Sequence, residues 1–230
     1  MNAIPPVLRP HDVTRRTIDD MRDASLTYCR DYSYTSAFDE LITNATSAKT
    51  LAQLLCGECS GKVGLSCLRQ GLLGKWGSAR SLTTANSPTI ARGLEKAANF
   101  LKRVPCATRI DVLTNDQLEL IVAGFEALDA CKGIGATIAS KMIAAQRPVS
   151  AVMWDTPIAA AYGFAHSPAG YRRFLQYMKE VAIGLRAASN SLDLEAYLKP
   201  QMRHWQAPLA KVIDEWHWVR ITRKHYYNVA

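Results

Sequence analysis

The amino-acid sequence predicts an all-α protein, and three observations carry that prediction. Helix start signals recur along the chain, each ahead of apolar residues at helical spacing. Runs that alternate apolar and polar residues, which are typical of strands, are missing. The composition, 48% hydrophobic and 21% charged over 230 residues, is that of an ordinary globular protein. It excludes wholesale disorder, collagen-like repeats and a coiled-coil rod.

Two helices are predicted in the middle of the chain. One opens at Ser87-Pro88, with the serine as N-cap and the proline at the first helical position. Its apolar positions are Ile90, Leu94, Ala97, Ala98 and Leu101. The other opens with the capping box Thr114-x-x-Gln117. Its apolar stripe is Leu118, Ile121, Val122, Phe125 and Leu128.

Further helices are predicted towards the C-terminus. Ser167-Pro168 starts a long one, whose apolar stripe is Tyr171, Phe174, Leu175, Met178, Val181, Ala182 and Leu185. Ser191 is expected to cap a shorter helix. Pro208 opens an amphipathic segment that runs through Val212, Ile213 and Trp216.

Charge is distributed unevenly along the chain, whose formal net charge is +8. Residues 1–130 carry 15 basic and 14 acidic side chains, whereas residues 131–230 carry 13 basic and only 6 acidic side chains. Within the first part, a basic block from Arg69 to Arg109 precedes an acidic run from Asp111 to Asp129. We expect two positive walls of a cleft, and nucleic acid is the commonest partner of such a surface. A solvated basic face without a partner is the alternative.

The six cysteines are expected to be reduced and structural. The N-terminus has no apolar signal region, and a chain of this size needs no disulfides. Cys56, Cys59 and Cys67 resemble part of a zinc or iron–sulfur site, but no fourth Cys or His stands at a suitable local spacing. We therefore expect no metal and no cofactor. We also expect a soluble, cytoplasmic protein without a membrane-spanning segment.

Two glycines, in Gly133-Ile134-Gly135, separate the helix that ends near Leu128 from a second one. The second helix carries Ile138, Ala139, Met142 and Ile143 on its apolar side. We expect a hairpin too tight for side chains at either glycine. The backbone amides from Gly133 to Ala136 are then expected to be free to bind a phosphate, with Lys132 and Lys141 flanking them. A turn that only joins two helices is the alternative.

The hairpin belongs to a longer pattern. It reads Gly133-Ile134-Gly135-Ala136-Thr137-Ile138-Ala139, then Pro148, then Val152-Met153-Trp154-Asp155-Thr156. This pattern, within residues 115–163, resembles the helix-hairpin-helix DNA glycosylase superfamily, which includes endonuclease III and the 8-oxoguanine glycosylases. The resemblance implies one glycosylase-like unit over residues 1–230. Residues 1–112 and 165–230 would complete two helical lobes around a basic cleft.

The resemblance implies that Asp155 is the catalytic carboxylate. Cleavage of an N-glycosidic bond develops positive charge on the sugar, which a fixed carboxylate stabilises while it orients or deprotonates the attacking water. It also implies DNA contacts from the hairpin, which are Lys132, Gly133, Ile134, Gly135, Ala136, Thr137 and Lys141. Asp155-Thr156-Pro157 is in addition a good helix N-cap, so a purely structural Asp155 is the alternative.

The sequence departs from the family at three places. Thr137 occupies the position at which bifunctional members carry a Schiff-base lysine, which implies a monofunctional hydrolase. Lys141, one helical turn further on, is the alternative amine. Pro157 stands where many members have a phosphate-binding His. No cysteine follows Cys131, which excludes the family's four-cysteine iron–sulfur cluster.

The sequence thus predicts hydrolytic excision of a modified or mismatched base that is flipped out of double-stranded DNA. Trp154 is a candidate for the base pocket, with burial in the core as the alternative. The base itself is left open, as is the choice between repair of the cell's own DNA and attack on foreign DNA. Two other functions remain: a non-catalytic helix-hairpin-helix DNA-binding protein, and an RNA-binding protein that uses the basic aromatic tail from His204 to Tyr227.

Overall fold

The computed structural model describes residues 7–31, 87–190, 193–198 and 208–227. All of the secondary structure in these ranges is helical, which confirms the predicted all-α class. Cys56, Cys59 and Cys67 lie outside the described residues, as do residues 69–80 of the basic block and residues 204–205 of the tail. Among the described helices, none is long and apolar enough to cross a membrane.

The described helices lie along the chain in the following order. They are α1 (Arg15–Asp31), α2 (Ser87–Leu101), α3 (Asn115–Asp129), α4 (Ala136–Gln146), α5 (Thr156–Ala161), α6 (Pro168–Ala188), α7 (Leu194–Leu198), α8 (Leu209–His217) and α9 (Arg223–Tyr227). Short 3-10 turns occupy Pro10–Asp12 and Ile110–Val112. A π-helical segment, Trp218–Thr222, joins α8 directly to α9.

Two of the predicted side-chain caps are confirmed by the structure. Thr114 and Gln117 form both bonds of the capping box at the start of α3. The Ser167 side chain accepts the N–H of Gly170 at the start of α6. At the start of α7 the Asp193 side chain accepts the N–H of Ala196 at 3.2 Å. Ser191, the predicted cap of this helix, lies outside the described residues.

Helix α3 packs against α2, α4 and α6 and lies at the centre of the described fold. The predicted stripes of α3 and α6 are buried in full. In α2 the prediction is correct except at Ala98, which is exposed. Because Ala97 and Ala98 are adjacent, they point about 100° apart on the helix, and only Ala97 faces the core.

An aromatic cluster fills the space between α3, α6 and the residues that precede α5. The rings of Phe125 and Tyr171 are stacked with centroids 4.2 Å apart, and those of Trp154 and Phe174 are stacked at 5.4 Å. Trp154 is only 1% exposed. An indole enclosed in this way has no open face for a base, so the structure places Trp154 in the core and not in a base pocket.

Helix α1 packs against α8 and the π-helical segment. Asp20 of α1 accepts the indole N–H of Trp216 at 2.6 Å and forms an ion pair with Arg220. The π-helical segment in turn contacts α5. The C-terminal helices are therefore held against the residues around Asp155.

Candidate active site

Asp155 ends the non-helical segment of residues 151–155 that follows α4. The buried Ser140 hydroxyl, in the middle of α4, accepts the N–H of Trp154 at 3.2 Å. It also lies 3.0 Å from the Trp154 carbonyl oxygen. These contacts hold the residue before Asp155 against the turn of α4 that carries Lys141.

Both carboxylate oxygens of Asp155 accept hydrogen bonds. Oδ1 accepts the N–H of Ile158 at 3.0 Å, which caps α5 as the sequence predicts. Oδ2 accepts the hydroxyl of Thr222 at 2.8 Å. Thr222 is the last residue of the π-helical segment. Such segments are rare in proteins, and those that occur are often found at functional sites. The carboxylate is therefore fixed in orientation by two separate elements.

The environment of Asp155 changes its acidity. Burial raises the pKa of the half-buried Asp155 carboxyl, and the two hydrogen bonds together with the charges of Lys141 and His166 oppose that rise. A carboxylate with a raised pKa is a stronger base than an ordinary one and still ionises near neutral pH when a cation supports it. The site thus holds an oriented carboxylate that can stabilise positive charge or accept a proton.

Charges of both signs act on Lys141: those of Asp214 and Asp155 and that of Lys211. The half-buried amine interacts electrostatically with both Asp155 and Asp214, while burial lowers the pKa of Lys141. Asp214 accepts a hydrogen bond from the ammonium of Lys211 at 2.7 Å in the interior. Lys141 is therefore part of a charge cluster, in contrast to the solvent-exposed Lys132 in the same helical pair.

Residues 130–135, the glycine turn, join α3 to α4. Gly133 has a φ of +91°, in the left-handed region that favours glycine. Gly135 differs, because its φ of −99° suits any residue and a Cβ there meets no atom within 4 Å. The expectation that the turn is too tight for a side chain is therefore wrong at Gly135, which faces open space.

The amides of the glycine turn are only partly available. Ile134 donates its N–H to the Cys131 carbonyl at 2.9 Å, and its side chain is buried, so it cannot contribute the predicted phosphate contact through that amide. Helix α4 begins at Ala136 with Gly135 as N-cap, and no described side chain caps it. The first amides of α4 therefore point into the open space beside Gly135.

Two side chains connect the start of α4 to the neighbourhood of Asp155. The Thr137 hydroxyl lies 3.4 Å from Nε2 of the exposed His166. Partial burial lowers the pKa of His166, while the carboxylates Asp129 and Asp155 oppose this effect. The structure thus places Thr137 and Lys141 on the same side of α4, with Asp155 nearby.

A surface depression of about 410 Å³ lies between α2, α3 and α6. Arg103, Arg172 and the carboxylates of α3 line it, and Arg172 forms a 2.6 Å ion pair with Glu119. None of the predicted site residues lines it. This depression is therefore separate from the half-buried surface around Asp155, where the predicted site residues lie.

Sequence reasoning missed three residues of this site: His166, Asp214 and Thr222. From their charge alone, three residues of α8 would be assigned to its solvent-facing side, but the structure buries all of them: Lys211, Asp214 and Glu215. Such a buried cluster offers only one sequence signal, which is the i, i+3, i+4 spacing of charged residues within a short apolar segment. Thr222 carries no local signal, since its role depends on contact with a residue 67 positions away.

The chain was compared with protein-family models, with curated proteins and with solved structures, and none of the three comparisons gives a match. A functional assignment therefore depends on the residues themselves and their arrangement.

Proposed function

We propose that the protein is a monofunctional DNA glycosylase that hydrolyses the N-glycosidic bond of a modified or mismatched base flipped out of double-stranded DNA. The observation that carries this proposal is Asp155, a half-buried carboxylate with both oxygens held by hydrogen bonds and with the positive charge of Lys141 acting on it. Its place relative to the glycine turn matches the pattern of the helix-hairpin-helix glycosylases.

The chemistry assigned to Asp155 follows from its surroundings. As the bond between C1′ and the base nitrogen breaks, positive charge grows on the sugar, and the fixed carboxylate stabilises it. Water then adds to C1′ and gives a proton to Asp155, while the base leaves with the bonding electrons and takes up a proton. A raised pKa favours this proton transfer because it makes Asp155 a better base.

The glycine turn is assigned to DNA binding. The uncapped first amides of α4 and the exposed Lys132 suit a backbone phosphate. Exposed aromatic and basic side chains of α9, including Tyr226 and Lys224, lie in the turn that follows Thr222, where they suit further contact with nucleic acid. Lys132 of the glycine turn and the basic residues of α9 would then contact the bound strand, as the basic cleft of the sequence-based proposal requires.

A non-catalytic DNA-binding protein with the same helix-hairpin-helix is the second candidate. One observation favours it: Asp155 caps α5 through Ile158, which explains the residue without any chemistry. The two candidates differ in what happens to the DNA after it binds. The direct test is incubation with a panel of duplexes that contain damaged, modified and mismatched bases, followed by mass spectrometry of the released bases.

Release of a free base from at least one duplex, absent with Asp155→Asn, is the expected result. Tight binding to these duplexes without release of any base would favour the non-catalytic candidate. A failure to bind duplex DNA at low salt would contradict both.

A further inference from the structure

The Thr222 hydroxyl reaches the Asp155 carboxylate from a distant part of the chain. It donates to Oδ2 at 2.8 Å, although the two residues are 67 positions apart. Thr222 is 4% exposed, so little water can replace its hydroxyl at this oxygen. The other oxygen, Oδ1, accepts the backbone N–H of Ile158 from α5 itself. The C-terminal segment therefore supplies a side-chain donor to a site whose other parts lie between residues 130 and 166.

The π-helical segment that carries Thr222 is held on two sides. It contacts both α1 and α5. Arg220 of the segment forms an ion pair with Asp20 of α1, which also accepts the indole N–H of Trp216 at 2.6 Å. Because Arg220 and Thr222 are two residues apart, their side chains point to roughly opposite sides of the helix. One side is thus anchored on α1, while the other presents its hydroxyl to Asp155.

The fold alone does not account for this arrangement. A buried hydroxyl is favourable only when it is hydrogen-bonded, and an apolar side chain of the same shape would pack as well. A π-helical turn is rare, and it changes the direction of every residue after it relative to an uninterrupted α-helix. The unusual turn and the buried hydroxyl are both explained if the segment brings a donor to Asp155.

Two donors on separate oxygens have a chemical effect that one donor lacks. The outer torsion of an aspartate side chain is broad, so a carboxylate held at one oxygen can rotate. Donors on both oxygens, one from α5 and one from the π-helical segment, fix its plane. Hydrogen bonds donated to a carboxylate also favour its charged form over the neutral acid.

We propose that Thr222 is a positioning residue, which fixes the plane of the Asp155 carboxylate and favours its ionised form. The effect on catalysis rests on the proposed function, whereas the effect on the Asp155 carboxyl does not. In this arrangement α1 anchors the π-helical segment, and the segment holds the carboxylate at the start of α5.

Other groups also act on Asp155. The charges of Lys141, from α4, and of His166, from the residues before α6, favour its ionised form, whereas burial opposes it. Tyr226 of α9 interacts with it as well. All of these groups remain in a variant that lacks only the Thr222 hydroxyl. A comparison of variants at residue 222 therefore isolates the contribution of that hydroxyl.

The test is a pH titration of the Asp155 carboxyl by carbon-13 NMR in the full chain labelled at aspartate, with Asp155→Asn to assign the signal. Thr222→Val keeps the shape of the side chain and loses the donor. The midpoint of Asp155 should therefore rise by about half a pH unit or more. Thr222→Ser keeps a hydroxyl, so its midpoint should lie closer to that of the unmodified protein.

Tyr197→Phe is the matched control. It removes a hydroxyl that donates to another carboxylate, that of Asp19, at 2.7 Å between α7 and α1. It should leave the midpoint of Asp155 unchanged. Thermal unfolding verifies that each variant is folded, and Thr222→Ala serves if Thr222→Val does not fold. An unshifted Asp155 midpoint in a folded Thr222→Val or Thr222→Ala overturns the proposal, and so does an equal shift in Tyr197→Phe.

The titration separates this inference from the proposed function. A shifted midpoint in a protein that releases no base would support the role of Thr222 and refute the glycosylase. Base release with an unshifted midpoint would do the opposite. Where both hold, single-turnover excision at neutral pH should fall by about fivefold in Thr222→Val and recover in Thr222→Ser. The acid limb of the excision rate should move to higher pH in Thr222→Val by the same amount as the NMR midpoint.

Discussion

Helices α4 and α5 begin in opposite ways, although their first turns present the same unpaired amides. At α5 the Asp155 side chain supplies the anion, with Oδ1 accepting the N–H of Ile158. At α4 the N-cap is Gly135, and no described side chain takes that place. The start of α5 is thus satisfied from within the chain, whereas the start of α4 leaves room for an anion from outside.

Under the proposed function, the two helix starts therefore have different roles. A phosphate at α4 would gain from the free amides and from the positive end of the helix dipole. At α5 the Asp155 carboxylate already occupies the amides at the helix start. Its lone pairs that accept no hydrogen bond remain available for chemistry. Substitutions at the two helix starts should therefore affect different measurements: catalysis at α5 and affinity at α4.

The largest effect is expected at Asp155. Asp155→Asn keeps a side-chain oxygen for the cap but loses the negative charge, so base excision in a single turnover should fall by about 100-fold or more. The affinity for duplex DNA should stay within a few-fold. Single-turnover release of the base and fluorescence anisotropy with labelled duplex measure the two quantities.

Thr222→Val is the matched control for that experiment. It removes one hydrogen bond to Asp155 and keeps both the charge and the cap, so excision should fall much less than in Asp155→Asn. A folded Asp155→Asn that excises at nearly the unmodified rate would remove Asp155 from the mechanism.

The next largest effect is expected at Gly135. The β-branched side chain of Gly135→Val would enter the open space that the α4 amides face. Loss of one charge-assisted hydrogen bond of about 1.5 kcal/mol corresponds to an affinity lower by about tenfold. Fluorescence anisotropy at a fixed low salt concentration checks this value.

Salt dependence provides the control for the Gly135 variant. In the unmodified protein the affinity should fall steeply with salt, with a slope of about −0.9 in log K against log salt for each neutralised phosphate. Affinity that barely changes between low and high salt would contradict phosphate binding, and so would an unchanged affinity in a folded Gly135→Val.

The elements that could be predicted from the sequence depend on neighbours close in the chain. Thr114 with Gln117, and Ser167 with the glycine three residues later, form the expected caps because these contacts lie within one helical turn. The capping role of Asp155 was predictable for the same reason. Local patterns thus determined the helix starts and most of the buried stripes.

The rest depends on contacts between distant parts of the chain. Thr222 reaches Asp155, and Ser25 reaches the buried Glu215 from 190 residues away. The burial of Trp154 depends on packing against Phe125 of α3 and Phe174 of α6. Periodicity places such residues on a helix or next to one, but it does not determine which elements pack around them.

A smaller effect, on stability, separates the two glycines. Gly133→Ala places a Cβ at a φ of +91° and should lower the free energy of unfolding by about 1 kcal/mol or more. Gly135→Ala has a compatible φ and open space, so it should be neutral or slightly stabilising. Urea unfolding of both variants checks the difference. A large loss of stability in Gly135→Ala would mean that this glycine serves the fold and not a ligand.

The smallest effect is expected in a borohydride trapping experiment, in which the proposed function predicts no covalent adduct between protein and DNA. A Schiff base needs a neutral amine at C1′, and Thr137 has none. A bond formed by its hydroxyl, even with His166 at 3.4 Å as a base, contains no imine that borohydride can reduce. The products should be a free base and an intact abasic strand that breaks only on treatment with alkali or heat.

Lys141 is the amine that this experiment examines most directly, because burial lowers its pKa and Asp155 lies nearby. The charges of Asp155 and Asp214 oppose that effect and favour the protonated, non-nucleophilic form. An adduct that disappears in Lys141→Ala would show that the amine reacts, and the hydrolytic assignment would be wrong. An adduct that persists in Lys141→Ala and disappears on substitution of a lysine far from α4 would instead contradict the alignment of residues 133–156 with the glycosylase pattern.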